Sequence, residues 1–540
     1  MTIRRVPEPA HPSTTLSPAQ KWSITISVML ITVMQILDTS ITNVALPHMQ
    51  GSLSTSVEET SWVITSYLAS NAIVIPATAW LTGALGRRRL FLICTIIFTV
   101  SSFLSGLAPN LEFLVAMRIL QGLGGGPVIP MAQATMWEIF PLRQRGMAMA
   151  VWGIGIMMAP ILGPTVGGWV CDNWSWRWIF YVNLPIGVLG FFMASAFLFD
   201  SPYQRRPTSV DGPGLLLMVV GFGSLQLVLD LGERDDWFES SRVIALLAIG
   251  AAAVLGFLVR ELTAREPVLN LRVFNNRNFA TGAVIMATVG FGFYSSTVLL
   301  ALYTQKLMGY DAWTSGMVLA PGGVGNMMAL LISGRLVQRV DQRFLLGFGC
   351  ALNAVAFVMM TNLTLGMDYW ALAVPRFVQG FGQGFVFVPL QTLALATIRM
   401  EGLANATAAF NVVRNFGGSA GIAVATTLLA RRSQYHQATL GAHVNPFDPE
   451  TAGRLRQWAD HFLNHGADSF TAEQRALAMV YRDTQGQAQV LAYGDAYVML
   501  VVLFVGLLFV VPLMRRVRVE QTGVGAGAAR VERVRETAAE

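Results

Sequence analysis

Charged residues are scarce in this chain. Lys, Arg, Asp and Glu make up 13% of the 540 residues, whereas about a quarter is typical of soluble domains. Cysteine is scarce too, because only Cys94, Cys171 and Cys350 occur, at unrelated spacings in or beside apolar segments. These shortages argue against an ordinary soluble domain, a disulfide framework and a cysteine zinc site.

Apolar sequence is abundant. Hydrophobic residues make up 54% of the chain, and runs of about twenty apolar residues, enough to cross about 30 Å of hydrocarbon, recur along nearly its whole length. We therefore predict an all-α polytopic membrane protein with about fourteen membrane helices, called predicted spans 1 to 14. They cover approximately 22–46, 62–82, 90–108, 111–133, 147–170, 177–199, 213–231, 242–260, 279–304, 314–334, 344–363, 369–396, 405–430 and 490–514. The first run is too long for a signal-peptide core, so we expect it to remain as a helix.

The arginines are distributed unevenly between the two sides. With the N-terminus in the cytoplasm, the short outer loops carry little more than Arg177, Arg234, Arg242 and Lys306. The inner segments carry most of the others, including 87–89, Arg205, Arg206, Arg343, Arg515 and Arg518. This positive-inside bias predicts that both termini are cytoplasmic. It also explains the net charge of +6 without nucleic acid as a partner.

A sequence pattern occurs twice. Arg118, Gln121 and Gly122 of predicted span 4 are repeated as Arg376, Gln379 and Gly380 of predicted span 12. Both spans enter the membrane from the same side, as expected for parallel six-helix halves. Predicted spans 7 and 8 fall outside the repeat, as an inserted pair. The predicted organisation is a cytoplasmic tail (1–21), an N-terminal six-helix bundle (22–200), a linker with two additional helices (201–277), a C-terminal six-helix bundle (278–514) and a second cytoplasmic tail (515–540).

Predicted span 1 contains a carboxylate, Asp38. A charge at membrane depth costs several kcal/mol unless it is paired or titrates, which makes Asp38 a candidate for a proton path. Helix rise places Asp38 roughly 24 Å from the inner side and Arg118 roughly 10 Å from the outer side, so both lie in the outer part of the bilayer. We expect an Asp38–Arg118 ion pair that couples protons to transport. The alternative is a permanent pair that only fixes packing, although buried pairs are often weak contributors to stability.

Other polar residues are candidates for lining a substrate cavity. Gln35, Asp38 or Thr39, and Thr42 share one face of predicted span 1. Arg414 lies roughly 14 Å from the inner end of predicted span 13, near the midplane. The alternative for Arg414 is hydrogen bonding to helix-end carbonyls. The candidate cavity residues are Gln35, Thr42, Asn43, Gln121, Arg376, Gln379, Asn411 and Arg414.

Predicted span 5 is rich in proline and glycine. Pro160 and Pro164 interrupt the backbone hydrogen-bond ladder, while Gly163, Gly167 and Gly168 permit close helix contacts. We predict a hinge or gate here, with a static, tightly packed helix as the alternative.

The long segment 431–489 is predicted to lie outside the membrane. Within it, 453–465 has the spacing of an amphipathic helix that packs on the membrane, on the protein itself or on a partner. His461 and His465 are four residues apart, but without a third ligand we predict no metal site.

Several motifs match one transporter family. The chain resembles the EmrB/QacA-type drug:proton antiporters, the fourteen-helix group of the major facilitator superfamily, and is most similar to the EmrB-like branch. The resemblance covers nearly the whole chain. Matching residues are Leu37, Asp38, Asn43, Ala45, Leu46 and Pro47 of L-D-x-T-x-x-N-x-A-L-P, with Ser40 in place of the usual threonine; Arg118, Gln121 and Gly122 of R-x-x-Q-G; Gly163, Pro164, Gly167 and Gly168 of G-P-x-x-G-G; and Trp62, Tyr67, 176–181, Asn183, Pro185, Gly187, Asn445, Pro446 and Phe447.

One family motif is degraded. The loop that usually reads G-x-L-x-D-R-x-G-R-R corresponds here to 79–88, which lacks the acidic residue and the first arginine. The second-half copy keeps Gly334, Leu336, Arg339 and Arg343 but has Gln338 at the acidic position. The charge-relay gating that the family assigns to this loop is therefore in question for this chain.

The resemblance implies a mechanism and partners. Asp38 would titrate with Arg118 as its partner, and small amphipathic drugs would leave in exchange for protons, driven by the proton gradient without a cofactor. The protein would be a multi-pass inner-membrane pump in membrane lipid, docked by its outer loop on a periplasmic adaptor of the EmrA type and an outer-membrane channel.

Alternative functions are a stand-alone pump, and an exporter or importer of a specific metabolite, siderophore or fatty acid, because fold does not fix cargo. An enzyme would need a catalytic cluster at a membrane face. The acidic pair Asp235 and Asp236 has no histidine or nucleophile arranged with it, so no catalytic residues are predicted. A scaffold would give no reason to keep charges at membrane depth.

Overall fold

The structure is a computed structural model that describes residues 16–203, 211–445 and 447–516. Every regular element in these ranges is a helix, which confirms the predicted all-α class. Most of both predicted tails lies outside the described residues, and so do Arg205, Arg206, Pro446 and Arg518.

The N-terminal half begins with a long helix and contains three spans divided by short breaks. Its helices are α1 (Pro18–Leu53), α2 (Val57–Val74), α3 (Thr78–Leu85), α4 (Arg87–Gly106), α5 (Leu111–Gly125), α6 (Val128–Ile139), α7 (Leu142–Asn173), α8 (Trp178–Tyr181) and α9 (Asn183–Phe197). Ser17 and Ser56 begin α1 and α2 with capping boxes completed by Gln20 and Glu59, which satisfy the free N–H groups of the first turn.

Two linker helices and the C-terminal half follow. The linker helices are α10 (Gly212–Leu231) and α11 (Ser241–Thr263). The remaining helices are α12 (Arg277–Leu302), α13 (Ala312–Leu336), α14 (Gln342–Met359), α15 (Tyr369–Leu395), α16 (Leu403–Gly441), α17 (Pro449–Asn464) and α18 (Ser469–Val510). A π-helical turn, Tyr303–Leu307, extends α12 on the outer side.

The helices pack as two bundles with a bridge between them. In the first half α1 packs on α7 and α9, and in the second α12 packs on α16 and α13 on α15. Contacts between α7 and α13 join the halves. The linker helices pack on each other, and α10 also contacts α2 and α16. The inserted pair therefore spans the junction between the two bundles.

Fewer than fourteen helices of the described ranges are long and apolar enough to be recognised as membrane spans by length and composition. In the described ranges, ten helical segments are long and apolar enough to cross a membrane, or up to twelve if each of two bent pairs is one span. One bent pair is α2 with α3, at 63°. The count of fourteen stays a prediction, and so do the exact domain boundaries.

The segment 431–489, predicted to form a long outer loop with one amphipathic helix, is mostly helical. Helix α16 has 39 residues and α18 has 42, so each is roughly 60 Å long, about twice the hydrocarbon thickness. Both helices continue beyond the membrane, and α17 packs on α18, that is, on the protein itself. We call α17 with the parts of α16 and α18 that lie within 431–489 the helical arm. In the described ranges no group of three or more His, Cys, Asp or Glu could hold a metal.

Candidate functional site

The predicted ion pair of predicted spans 1 and 4 is present. Asp38 lies on α1 and Arg118 on α5, and Arg118 Nη1 lies 2.6 Å from Asp38 Oδ2. Both side chains are shielded, with 1% of the Asp38 side chain and none of the Arg118 side chain exposed. Helix rise therefore correctly predicted that these two residues, on different helices, lie at the same depth and can pair.

Two amides complete the surroundings of the carboxylate. Gln121 Nε2 and Asn183 Nδ2 donate to Asp38 Oδ1 at 2.9 and 2.7 Å. Asn183 Nδ2 also lies 3.0 Å from Ser102 Oγ, which ties α9 and α4 to the same point. We call Asp38, Arg118, Gln121 and Asn183 the carboxylate cage. Charge-assisted bonds of this kind are among the stronger hydrogen bonds in proteins.

Arg118 is held from a third side by α2. Its Nε donates to the Val63 carbonyl at 3.0 Å, and its guanidinium lies 4.3 Å from the centre of the Tyr67 ring. Gly122 makes this possible, because a Cβ there would lie 2.5 Å from the Tyr67 carbonyl oxygen. The glycine of the R-x-x-Q-G pattern thus lets α5 approach α2 closely.

The second copy of the pattern has different partners. Arg376 Nη1 donates to Gln379 Oε1 at 2.5 Å, and Nη2 donates to Thr297 Oγ1 at 2.9 Å. Gln379 Nε2 then donates to Ser296 Oγ at 2.5 Å. In the described part of the chain no carboxylate forms an ion pair with Arg376.

A cavity of about 720 Å³ lies between the two halves. Five of the eight predicted cavity residues line it: Gln35, Asn43, Arg376, Gln379 and Arg414. A smaller pocket of about 160 Å³ shares Arg414 and Asn326 with the cavity and is otherwise mostly apolar.

The other three predicted cavity residues lie inside the bundles. Thr42 Oγ1 donates to the Asp38 carbonyl at 2.7 Å, Gln121 belongs to the carboxylate cage, and Asn411 Nδ2 donates to Gln133 Oε1 at 2.5 Å. On α1 the cavity face consists of Gln35, Thr39 and Asn43, spaced four residues apart. The adjacent Asp38 and Thr42 turn toward the other helices, one layer behind the cavity.

The cavity reaches the outer ends of the helices but not their inner ends. Pro47, Lys306 and Ser315 belong to its lining near the outer side. On the inner side α7 packs tightly on α13, because a Cβ at Gly334 would lie 2.9 Å from the Ala150 Cβ. The described conformation is thus open on the side predicted to face outward and closed on the predicted inner side.

The proline and glycine motif does not interrupt its helix. Helix α7 continues through Pro160, Gly163, Pro164 and Gly167, although the two prolines supply no backbone N–H to its hydrogen-bond ladder. A Cβ at Gly163 would overlap the Ser40 side chain, and one at Gly167 would lie 3.1 Å from Ile41 Cγ2, whereas Gly168 has no such neighbour within 4 Å. The motif packs α7 on α1 beside Asp38, and its role as a hinge stays a prediction.

Two acidic residues that are distant in the sequence contact the degraded loop. Arg87 Nη2 lies 2.6 Å from Glu138 Oε2, and both side chains are buried. The Arg88 backbone N–H donates to Asp200 Oδ1 at 3.0 Å, across 112 residues of sequence. Sequence reasoning missed Glu138 and Asp200 because they are distant in the chain and belong to no motif considered.

The family model described as Major Facilitator Superfamily matches residues 28–422. The chain belongs to the Major Facilitator Superfamily. It is 37% identical over 443 residues to the multidrug export protein EmrB of Escherichia coli (strain K12), covering 82% of this chain and 86% of that one.

Further comparisons support the same branch and the fold. Identity to the multidrug export protein EmrB of Haemophilus influenzae is 34% over 489 residues, which cover 90% of this chain and 94% of that one. The crystal structure of the human organic anion transporter MFSD10 has a TM-score of 0.57 at 13% identity and covers 91% of this chain and all of that one, which shows a shared fold. The EmrB-like resemblance is confirmed, and the chain is a multi-pass membrane transporter.

Proposed function

We propose that the chain is a proton-coupled multidrug efflux pump that exports amphipathic toxic compounds from the cytoplasm across the cell inner membrane, with both termini in the cytoplasm. Its relatives named as multidrug export proteins match over most of its length. The outward-open cavity between the halves supports the same function, because its walls are mostly apolar and it can hold a small amphiphile.

The carboxylate cage is the proposed coupling device, and it is the observation that carries the proposal. Asp38 is one layer behind the cavity face of α1, so substrate and proton act on one helix. When Asp38 takes up a proton it loses its charge attraction to Arg118. The loosened cage frees α1 relative to α5 and α9, which links protonation to rearrangement of the bundle. The proton gradient drives this cycle without a cofactor.

The helical arm is the proposed docking surface for a periplasmic adaptor of the EmrA type, which would connect the pump to an outer-membrane channel. Its connecting turn exposes Phe447 almost completely, at 93%, and Phe470 is also exposed near the start of α18. A stand-alone pump is the alternative. Copurification of the adaptor with the full chain, lost when Phe447 and Phe470 are both changed to Ser, would support docking.

The coupling proposal is tested in inverted membrane vesicles carrying a pH gradient. Amphiphiles added to wild-type vesicles should dissipate the gradient, and Asp38→Asn should abolish this, since the amide keeps the shape but cannot exchange a proton. Asp460→Asn, an exposed change on the arm, is the matched control. Wild-type exchange by well-expressed Asp38→Asn protein would overturn the assignment. No response to any amphiphile in wild type would favour transport of one specific metabolite.

A further inference from the structure

Four arginines meet at the predicted inner end of the C-terminal half. They are Arg277 at the start of α12, Arg343 in the first turn of α14, and Arg515 and Arg516 after α18. Arg277 Nε donates to the Leu513 carbonyl at 2.9 Å, and Arg343 Nη1 donates to the Met514 carbonyl at 3.4 Å. Both side chains therefore hold the segment that carries the other two arginines. We call the four arginines the basic corner.

Positive charge is in excess at the basic corner. The carboxylate of Asp341 lies there, with Arg343 Nη2 at 3.1 Å and Arg516 Nε at 3.5 Å from its Oδ2. Within the described ranges no carboxylate forms an ion pair with Arg277 or Arg515. Helices α12 and α14 both begin here, and their N-termini add partial positive charge. One carboxylate therefore faces four guanidinium groups and two helix N-termini.

The guanidinium groups are accessible to a ligand. Arg277, Arg515 and Arg516 are exposed, and Arg343 is half-buried. The hydrogen bond of Arg277 uses Nε, and the described part of the chain provides no partner for its two Nη groups. At the matching end of the first half, by contrast, Arg87 is buried in an ion pair with an acidic residue of α6. Because guanidinium groups bind phosphate through paired N–H donors, the basic corner is suited to a phosphate group.

Exposed apolar side chains adjoin the basic corner. On α14, Phe344 directly follows Arg343 and is 79% exposed, and the exposed Phe348 lies one turn further along the helix. On α18, Phe509 is 78% exposed and lies one turn before Leu513, which is also exposed. Helices α14 and α18 pack on each other. A molecule with its anionic head at the arginines can therefore place hydrocarbon chains against these side chains.

We propose that the basic corner is a binding site for an anionic phospholipid of the leaflet on the predicted inner side. Arg277, Arg515 and Arg516 bind its phosphodiester headgroup, and its acyl chains lie against Phe344 and Phe509. Basic residues at the membrane surface attract anionic headgroups in this way. The site is formed by the ends of α12, α14 and α18, apart from the central cavity, and does not depend on the proposed efflux function.

Binding of two lipids to the purified full chain in a non-ionic detergent tests the proposal. Dioleoyl phosphatidylglycerol is anionic, whereas dioleoyl phosphatidylcholine has the same acyl chains and no net charge. Native mass spectrometry of protein mixed with each lipid gives the two dissociation constants. Phosphatidylglycerol should bind about thirtyfold more tightly, which corresponds to about 1 kcal/mol for each of two arginines. Equal affinities for the two lipids would overturn the proposal.

A double variant locates the headgroup. Arg515→Gln with Arg516→Gln should remove most of the preference for phosphatidylglycerol. Asn278 bonds only to the backbone of Arg515, so the segment stays anchored to α12 in this variant. Arg89→Gln with Arg399→Gln removes two other exposed arginines of the inner side and is the matched control, which should keep the preference. Equal losses in both double variants would show a general effect of net charge and contradict a site at the basic corner.

Asp341→Asn should have the opposite effect. Removing the acid at the basic corner should strengthen phosphatidylglycerol binding about fivefold and leave phosphatidylcholine binding unchanged. Misfolding would not produce such a gain, so this variant separates charge recognition from damage to the protein. Unchanged or weaker phosphatidylglycerol binding by Asp341→Asn protein would contradict the proposal.

The acyl-chain contact is tested separately. Phe344→Ser with Phe509→Ser should weaken the binding of both lipids by a similar factor, because both have the same chains, and should keep the preference for phosphatidylglycerol. Undiminished binding of both lipids would show that the acyl chains lie elsewhere and would overturn this part of the proposal.

Discussion

The two halves use the same R-x-x-Q-G pattern in different ways. In the first half Arg118 faces a carboxylate, is fully buried and has no contact with the cavity. In the second half the position that Asp38 occupies relative to Gln121 is taken by Ser296 relative to Gln379, and Arg376 lines the cavity. One acidic side chain thus distinguishes a closed, neutral pair from a cation available to ligands.

This difference separates two tasks between homologous positions. The first half holds the proposed proton site behind the wall, and the second half presents positive charge on the wall. A duplicated motif therefore need not mean a duplicated role. Three experiments test how far the contrast extends, beginning with the largest expected effect.

Removing each arginine should affect stability very differently. Arg118→Gln leaves the Asp38 carboxylate buried without a cation, which we expect to lower the free energy of unfolding by about 3–5 kcal/mol. Arg376→Gln removes hydrogen bonds but no ion pair and should cost about 1 kcal/mol. Denaturant titration of both variants in one detergent measures the contrast. Similar losses for both would show that the pairing does not distinguish the halves.

Adding the missing acid should make the second half resemble the first. Ser296→Asp places a carboxylate next to Gln379 and near Arg376, so the positive charge of Arg376 on the cavity wall is neutralised. Binding of the anionic amphiphile dodecanoate to the full chain in phosphatidylcholine nanodiscs should weaken about tenfold, because charges near one another in a protein interact by more than about 1 kcal/mol. Ser296→Asn, which adds similar bulk without charge, should change it little. A dodecanoate affinity unaffected by Ser296→Asp would separate Arg376 from substrate recognition.

The smallest effect is expected at the inner ends of α4 and α14. The first half uses the distant Asp200 at the start of α4, whereas Asp341 caps α14 locally. The side-chain hydrogen bond from Arg343, then its backbone N–H and its charge, and last the charge of Arg516 hold the pKa of Asp341 below its usual value. A depressed pKa means that stability is gained above the unfolded-state pKa and lost as the pH falls through the folded-state pKa.

Asp341→Asn should therefore lower stability by less than about 1 kcal/mol at neutral pH. The gap between wild type and variant should begin to close as the pH falls below about 4, where the unfolded chain becomes protonated, and should vanish only below the depressed folded-state pKa. Thermal melts in detergent between pH 3.5 and 7 measure this gap. A gap that does not depend on pH would assign Asp341 a purely geometric capping role.

The sequence could predict those features of the site that depend only on the rise along one helix or on the repeated motif. Helix rise placed Asp38 and Arg118 at one level, and the repeat placed Arg376 and Gln379 together. The predicted cavity face of α1 was only partly right. Thr39 lines the cavity, whereas Asp38 and Thr42 turn into the bundle, because α5 and α9 supply the donors that satisfy the carboxylate. Asn183 was visible as a motif match, yet its contact with Asp38 depends on how α9 packs.

Other features depend on contacts that no local pattern encodes. Glu138 and Asp200 reach the degraded loop only after the bundle forms. The sequence predicts that Lys306 lies in an outer loop. Only the packing of α12 against α13 shows that it lines the cavity. The length of α16 and α18 was underestimated, because polar outer segments end an apolar run without ending a helix.

The helical arm has a mechanical consequence. Helices α16 and α18 are each continuous from the inner side to the arm, and Arg432 on α16 lies 2.6 Å from Asp495 Oδ2 on α18, which braces the two where the arm begins. A rotation of the C-terminal bundle is therefore carried along both helices into the arm, and the displacement grows with distance from the pivot. A change in the state of the cavity therefore displaces the arm, and a protein bound to the end of the arm is displaced with it.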